Sequence, residues 1–218
     1  IRPHVLHAPI NTQGGERMRK TIFFLALFLI GLMPSAFSIN LILQDTITGN
    51  LADAHVESNI PDGNAGTNVN LVNDDSTPEN NSYKIYITFG LSNISAGATI
   101  TEAYLYLYAI TTEASWNDGA YQVNSGWNEL TITFNNQPCG ILFNDAIKCN
   151  LTPESNTTVG TPNQWYRWNV TGMTKRAFNE SSIGNISMAI KRSSGAGGVH
   201  AHTFRSRDYS NVTLRPYM

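Results

Sequence analysis

Cysteine is scarce: Cys139 and Cys149 are the only two in 218 residues. In an exported chain, two cysteines ten positions apart read as one disulfide, which closes a short loop and stabilises by about 2–3 kcal/mol. Pro138 and Gly140 beside the first cysteine suit a turn. No other ligands stand at metal-site spacing around the pair, so a cysteine-bound metal is the weaker reading. Basic charge is scarce as well. From Ile39 onward the chain has 10 Lys+Arg against 15 Asp+Glu, a net charge of −5, and the basic footprint of a nucleic-acid binder is missing. Lys84 is the only base between Ile39 and Ala120, against ten acids, whereas Tyr121 to Met218 carries nine bases and five acids. Such unevenness favours head-to-tail contact between copies, although interleaved strands blur it in space.

Catalytic signatures are absent too. The chain has no Gly-x-Ser-x-Gly elbow, no zinc-protease helix motif, no phosphate-binding glycine loop and no lone cysteine poised as a nucleophile. A glycosidase needs only two carboxylates, for which Glu57, Glu102 and Glu129 are the candidates. Glu129 lies inside a structural-looking tryptophan motif, and the expectation is a protein that catalyses nothing and needs no cofactor.

One strongly apolar stretch stands near the start. Arg19 and Lys20 precede Thr21 to Met33, Pro34 breaks the run, and Ala36-Phe37-Ser38 supplies small residues for a signal peptidase. Residues 18–38 therefore read as a secretory signal cut before Ile39, too short to span a bilayer comfortably. No basic stop-transfer cluster follows, so an uncleaved anchor is the weaker reading. Residues 1–17 read as upstream translation or leader. The expectation is a secreted or cell-surface protein with no membrane span in its mature chain.

Beyond the signal the apolar period is two, not 3.6. It appears at Leu41/Leu43, Ile85/Ile87/Phe89, Ala103/Leu105/Leu107/Ala109, Ile132/Phe134, Ile186/Met188/Ile190 and Val212/Leu214, each run bounded by turn-forming residues. Short strands with turn signals between them predict an all-β fold, a single jelly-roll-type antiparallel β-sandwich. One short helix is predicted over residues 171–178, capped by Thr171, with Met173, Ala177 and Phe178 inward. Polar loops are expected at residues 58–67, 73–82 and 153–163. Eight Asn-x-Ser/Thr sequons, at Asn80, Asn93, Asn150, Asn156, Asn169, Asn179, Asn185 and Asn211, predict N-glycosylation. Asn80, Asn93, Asn156 and Asn179 are favoured as loop sites, and Asn169 and Asn185 fall on strand-like segments.

Several words of the sequence, taken in order, resemble a known family. They are Asp53-Ala54-His55-Val56, Asn64-Ala65-Gly66-Thr67, Lys84 to Phe89 with Ala96-Gly97-Ala98-Thr99-Ile100, and Ala103 to Tyr108. Trp127-Asn128-Glu129 through Pro138, Trp168-Asn169-Val170-Thr171 and Phe204-Arg205-Ser206-Arg207-Asp208 follow. Together they resemble DNRLRE domains, also called carbohydrate-binding module family 96 and similar to archaeal disaggregatase-related repeats. The likeness spans residues 53–218, and Trp127 to Pro138 is its most specific block. Asp208 stands where the family usually has glutamate. The resemblance implies a jelly-roll sandwich and raises glycan binding as a function.

If Leu105 and Leu107 face the core, Tyr104, Tyr106 and Tyr108 project from the opposite face, beside Tyr86, as a platform for sugar rings. Trp116, next to Asn117-Asp118-Gly119, is the loop candidate, while Trp127, Trp165 and Trp168 read as core or corner residues. Asp62, Asn64, Asp74 and Asp75 offer oxygens for a structural calcium, though turn chemistry explains them as well. His200 and His202, two apart on a strand-like segment, have a spacing that can hold zinc or copper. Two functional readings stay open, and the sequence favours the first. In it, residues 39–52 are a strand and hinge, and Ile39, Leu41, Ile42 and Leu43 insert into the next copy as a donor strand, building an extracellular filament. In the alternative the domain attaches to extracellular polysaccharide.

Overall fold

The computed structural model describes residues 40–44, 51–74, 82–180, 184–194 and 201–218. The chain divides into two units, residues 1–41 and 42–218, and the fold is that of the second. The leader, the signal segment, the hinge, Ile39, Asp75, Asn80 and His200 lie outside the described residues. No helix among the described residues is long and apolar enough to cross a membrane.

Among the described residues, nine strands form two antiparallel sheets: β1 (Leu51–Glu57), β2 (Asn70–Asn73), β3 (Tyr83–Gly90), β4 (Tyr104–Thr112), β5 (Trp116–Gln122), β6 (Ser155–Val159), β7 (Gln164–Asn169), β8 (Asn185–Ser194) and β9 (His202–Arg205). The larger sheet runs β1-β3-β8-β5-β6 and the smaller β2-β9-β4-β7. The domain is thus an all-β sandwich, as the period-two pattern requires. Registers explain the alternation: Ile85 and Ile87 of β3 face Ile190 and Met188 of β8, while Leu105 and Leu107 of β4 face Trp168 and Tyr166 of β7. These apolar faces meet with Leu71, Phe89 and Phe204 in one core. Directly opposed residues share a face, so a one-residue slip would expose the whole set.

A third layer covers the outer face of the larger sheet. Residues 123–150 form turns, not strands, and Ile132, Phe134, Phe143 and the cystine pack on Tyr86, Val56 and Ala189 in a second core. The expected Ile132/Phe134 strand is therefore corrected to a buried loop. Its alternation is real, but the neighbours are the back of β3 and β8, and backbone bonds such as Ile132 N–H to Asn128 O (2.9 Å) are turn bonds. The Cys139–Cys149 disulfide, with Cα atoms 5.3 Å apart, closes this loop. Val212/Leu214 is likewise corrected from strand to a 3-10 turn capped by Asn211. Part of the expected 153–163 loop is the edge strand β6, whose Ser155-Asn156-Thr157-Thr158 carries no apolar signal because only Val159 is buried.

The helix α1 (Thr171–Glu180) forms where expected, with Met173 and Ala177 buried and Phe178 against the core. Its start is held differently from expectation. The Thr171 hydroxyl bonds the Ala103 backbone, and Glu154 Oε1 instead accepts the Met173 N–H at 2.9 Å, a carboxylate at the positive helix end.

The first described segment pairs inside its own chain. Leu43 N–H donates to Met218 O (2.7 Å) and Met218 N–H to Leu43 O (2.9 Å), while Tyr217 and Tyr106 exchange backbone bonds. The C-terminal residues thereby lie between Leu43 and β4. Leu43 is buried, whereas Leu41 and Ile42 are about half exposed. This pairing supplies locally what the donor-strand reading assigned to a neighbouring copy.

Candidate functional site

Period two in β4 and β7 builds an aromatic face. Across the pair, Tyr104 opposes Asn169, Tyr106 opposes Arg167 and Tyr108 opposes Trp165, while Leu105, Leu107 and Trp168 are buried on the other side. The C-terminal backbone bond to Tyr106 brings in Tyr217, which stacks on Tyr106 with centroids 4.5 Å apart and planes at 8°. Trp165 meets Tyr217 edge-on at 5.0 Å and Tyr108 at 5.4 Å, and Tyr104 lies 6.5 Å from Tyr106. Arg167 is exposed, with its guanidinium 4.9 Å from the Tyr104 centroid. The Arg167 guanidinium donates to the Tyr106 hydroxyl oxygen, which raises it further above its ordinary range. Each aromatic pair contributes about 0.5–1.5 kcal/mol beyond its buried area, so these half-buried rings hold one another in place.

The turn that presents β7 is tied by Tyr166, whose hydroxyl accepts from Thr161 N–H (2.8 Å) and Gln164 Nε2 (2.6 Å). These donors pull the Tyr166 phenol below its ordinary range although its burial works the other way. Asn163 takes the left-handed conformation at φ 60°, which asparagine tolerates better than most residues.

Three sequence expectations meet this face and two do not. Tyr104, Tyr106 and Tyr108 stand on it together. Tyr86 is corrected: it is fully buried on the larger sheet, its hydroxyl donating to Gln137 Oε1 at 3.0 Å, and burial pushes its phenol up. Tyr86 alternates out of the main core, but the 123–150 loop covers it. Trp116 is corrected too. It is a β5 residue capped by Arg192, whose guanidinium lies 3.7 Å from the ring centroid, and packed beside His202. Trp165, expected to be core, is on the platform, and Arg167 and Tyr217 were missed. Counting by two along β7 puts Gln164 and Tyr166 on the face of buried Trp168 and Trp165 and Arg167 on the other, but only the pairing with β4 brings those two beside the tyrosines. Tyr217 had no local signal, because its partner Tyr106 is distant in sequence.

The metal expectations come apart. His202 Nδ1 lies 2.7 Å from Asp118 Oδ2 and Nε2 lies 2.9 Å from Ala114 O, so both ring nitrogens face acceptors and neither offers a lone pair to zinc or copper. Burial by itself would lower this imidazole, but the bond and charge of Asp118 and the Ala114 carbonyl outweigh it and hold it above its ordinary range. The pair bridges the sheets, with Asn73 Nδ2 donating to Asp118 Oδ1 at 2.7 Å. Asp62 accepts from Asn135 Nδ2 (2.8 Å) at an exposed turn. Asp74 is buried and its backbone pairs with Tyr83.

Asn64 is a loop pin: its Nδ2 donates to the Glu129 and Ile132 carbonyls, both at 2.8 Å, and its Oδ1 accepts the Gly66 N–H. Gly66 lies so close to this loop that a Cβ would sit 2.0 Å from the Glu129 carbonyl oxygen. Glu129 Oε1 in turn accepts the Asp53 N–H at 2.9 Å, and Asp53 Oδ2 accepts the Arg207 N–H at 2.8 Å. Asp53, Asn64, Gly66, Glu129, Arg207 and Asp208, scattered over 156 positions, thus meet at one seam of the sandwich.

Two antiparallel sheets packed as a sandwich, the smaller carrying these rings on its outer face, define the class of the domain. The chain belongs to carbohydrate-binding module family 96, whose family model matches residues 46–218. A comparison with curated proteins finds no match.

Proposed function

We propose that this domain binds carbohydrate, without catalysis, through the outer face of its smaller sheet. The observation that carries the reading is the contiguous set of Tyr104, Tyr106, Tyr108, Trp165 and Tyr217 around Arg167. Pyranose rings have apolar C–H faces that stack on aromatic rings, while their hydroxyls accept from a guanidinium. Rings already locked by mutual contacts lose little freedom on binding, which favours affinity. Membership of a carbohydrate-binding family supports the same reading, and with the disulfide it fits an extracellular setting for a glycan partner. Assembly into a filament is the weaker reading, since Leu43 already pairs with Met218 of its own chain.

The test is a glycan array followed by affinity electrophoresis of the purified domain and its variants. Trp165→Ala and Tyr108→Ala are expected to weaken retention at least about tenfold, about 1.4 kcal/mol, with a folded near-ultraviolet spectrum. Tyr86→Phe, beneath the loop, leaves retention unchanged. Full retention by both platform variants would refute the assignment.

A further inference from the structure

The seam that joins the family-like words holds more negative charge than its hydrogen bonds use. One carboxylate oxygen each from Asp53, Glu129 and Asp208 lie within 4.8 Å of one another. Asp53 is 1% exposed. Its Oδ2 accepts the Arg207 N–H, but its Oδ1 is buried with no hydrogen-bond partner among the described residues. The positive group at the cluster is the Arg207 guanidinium, with Nε 3.3 Å from Glu129 Oε1 and 4.0 Å from Asp208 Oδ1, and one terminal nitrogen donates to the Leu51 carbonyl. Three carboxylates against one guanidinium leave a charge of −2.

We propose that Asp53, Glu129 and Asp208 form a calcium site. A divalent cation cancels the residual charge and supplies the missing partner of Asp53 Oδ1. The donors are all hard carboxylate oxygens, with no nitrogen or sulfur among them, which selects calcium over zinc or copper. Calcium accepts about 6–8 oxygens in irregular arrangements, so three carboxylates leave positions for water. Asp208, about one third exposed, gives the ion a way in. Bound there, calcium ties together β1, the covering loop that carries Glu129 and the segment that follows β9. None of the three acids stands on the aromatic face, so the site is independent of glycan binding.

Thermal unfolding of the full chain after chelator treatment and dialysis, with and without millimolar calcium chloride, tests the proposal alongside isothermal calorimetry with calcium chloride alone. The expected result is a rise of several degrees in Tm and saturable binding near one ion per chain. Asp208→Asn, at this partly exposed position, reduces the shift by more than half, and Asp62→Asn retains it. No shift and no binding heat would overturn the site, as would an undiminished shift in Asp208→Asn. Magnesium producing the same shift at the same concentration would overturn the assignment to calcium. If instead Asp53 is held as a neutral acid, Asp53→Asn leaves Tm unchanged in chelator and calcium adds nothing to the wild type, which also overturns it.

Discussion

Replacing Gly66 by alanine is a severe test of the seam, because the added atom meets backbone. A Cβ there would lie 2.0 Å from the Glu129 carbonyl oxygen and 2.6 Å from its carbon. The backbone of Gly66 is outside the left-handed region, so the requirement is for space and not for conformation. To reach an ordinary contact of 3.4 Å, the 129 carbonyl would have to retreat by about 1.4 Å. Two bonds hold it in place: Asn64 Nδ2 to the same carbonyl, and Asp53 N–H to the Glu129 side chain. Overpacking costs about 1–3 kcal/mol, and each disrupted hydrogen bond adds about 1 kcal/mol. Gly66→Ala is therefore expected to destabilise by about 3–5 kcal/mol. For a domain of this size that lowers Tm by about 2–4 °C per kcal/mol, or about 6–20 °C. Circular-dichroism melts and urea titration measure it, with Gly97→Ala as the comparison. Gly97 has φ +83° and nothing within 4 Å of its Cβ position, so its alanine variant carries only backbone strain of about 1–2 kcal/mol. A Gly66→Ala domain that melts within about 2 °C of wild type would refute the reasoning that this loop is rigidly pinned.

Three further outcomes are expected. His202 is held above the ordinary imidazole value of 6.5 and, with Asp118 of β5 and Arg192 of β8 around it, contributes stability that is complete below that value. The contribution is lost as pH rises through the elevated folded value, so Tm falls between mildly acidic and alkaline pH, and His202→Asn flattens that slope whatever its absolute Tm. A wild-type profile that rises over this range would contradict the charged pair. All seven described sequon asparagines are exposed, and protein made in an N-glycosylating host is expected to lose mass on enzymatic deglycosylation. An intact mass equal to the bare polypeptide rules the modification out. Asn169 opposes Tyr104 on the aromatic face, so Asn169→Gln is expected to strengthen glycan retention in protein from that host.

Legibility followed the range of the interactions. β3, β4, β8 and α1 could be read directly because each places its apolar residues on one face, at a spacing fixed by local geometry. β6 could not, because an edge strand that buries only Val159 carries no pattern to read. The same alternation that marked Ile85 and Ile87 correctly misled at Ile132 and Phe134, where the period signals burial but not strand pairing. Tyr86 failed for the converse reason: alternation put it outside the main core, and nothing local announced that a loop would cover it. The family-like words were legible as words, yet Asp53, Gly66, Glu129 and Arg207 gave no sign in sequence that they touch.

By itself the sequence determined the fold class, the disulfide candidates and half of the aromatic face, since period two assigns Tyr104, Tyr106 and Tyr108 to one side of β4 without reference to anything distant. Tertiary structure alone decided the rest. Tyr217 joins the platform only because the C-terminal backbone pairs with Tyr106, and Trp165 joins it only through the β4–β7 register. The acids at the seam converge only when the two sheets close and the 123–150 loop folds over one of them. Local pattern fixes which way a side chain points, whereas what it meets depends on chain closure over many residues, and the identity of that partner decides whether a tyrosine is buried or binds and whether an aspartate is satisfied or needs an ion.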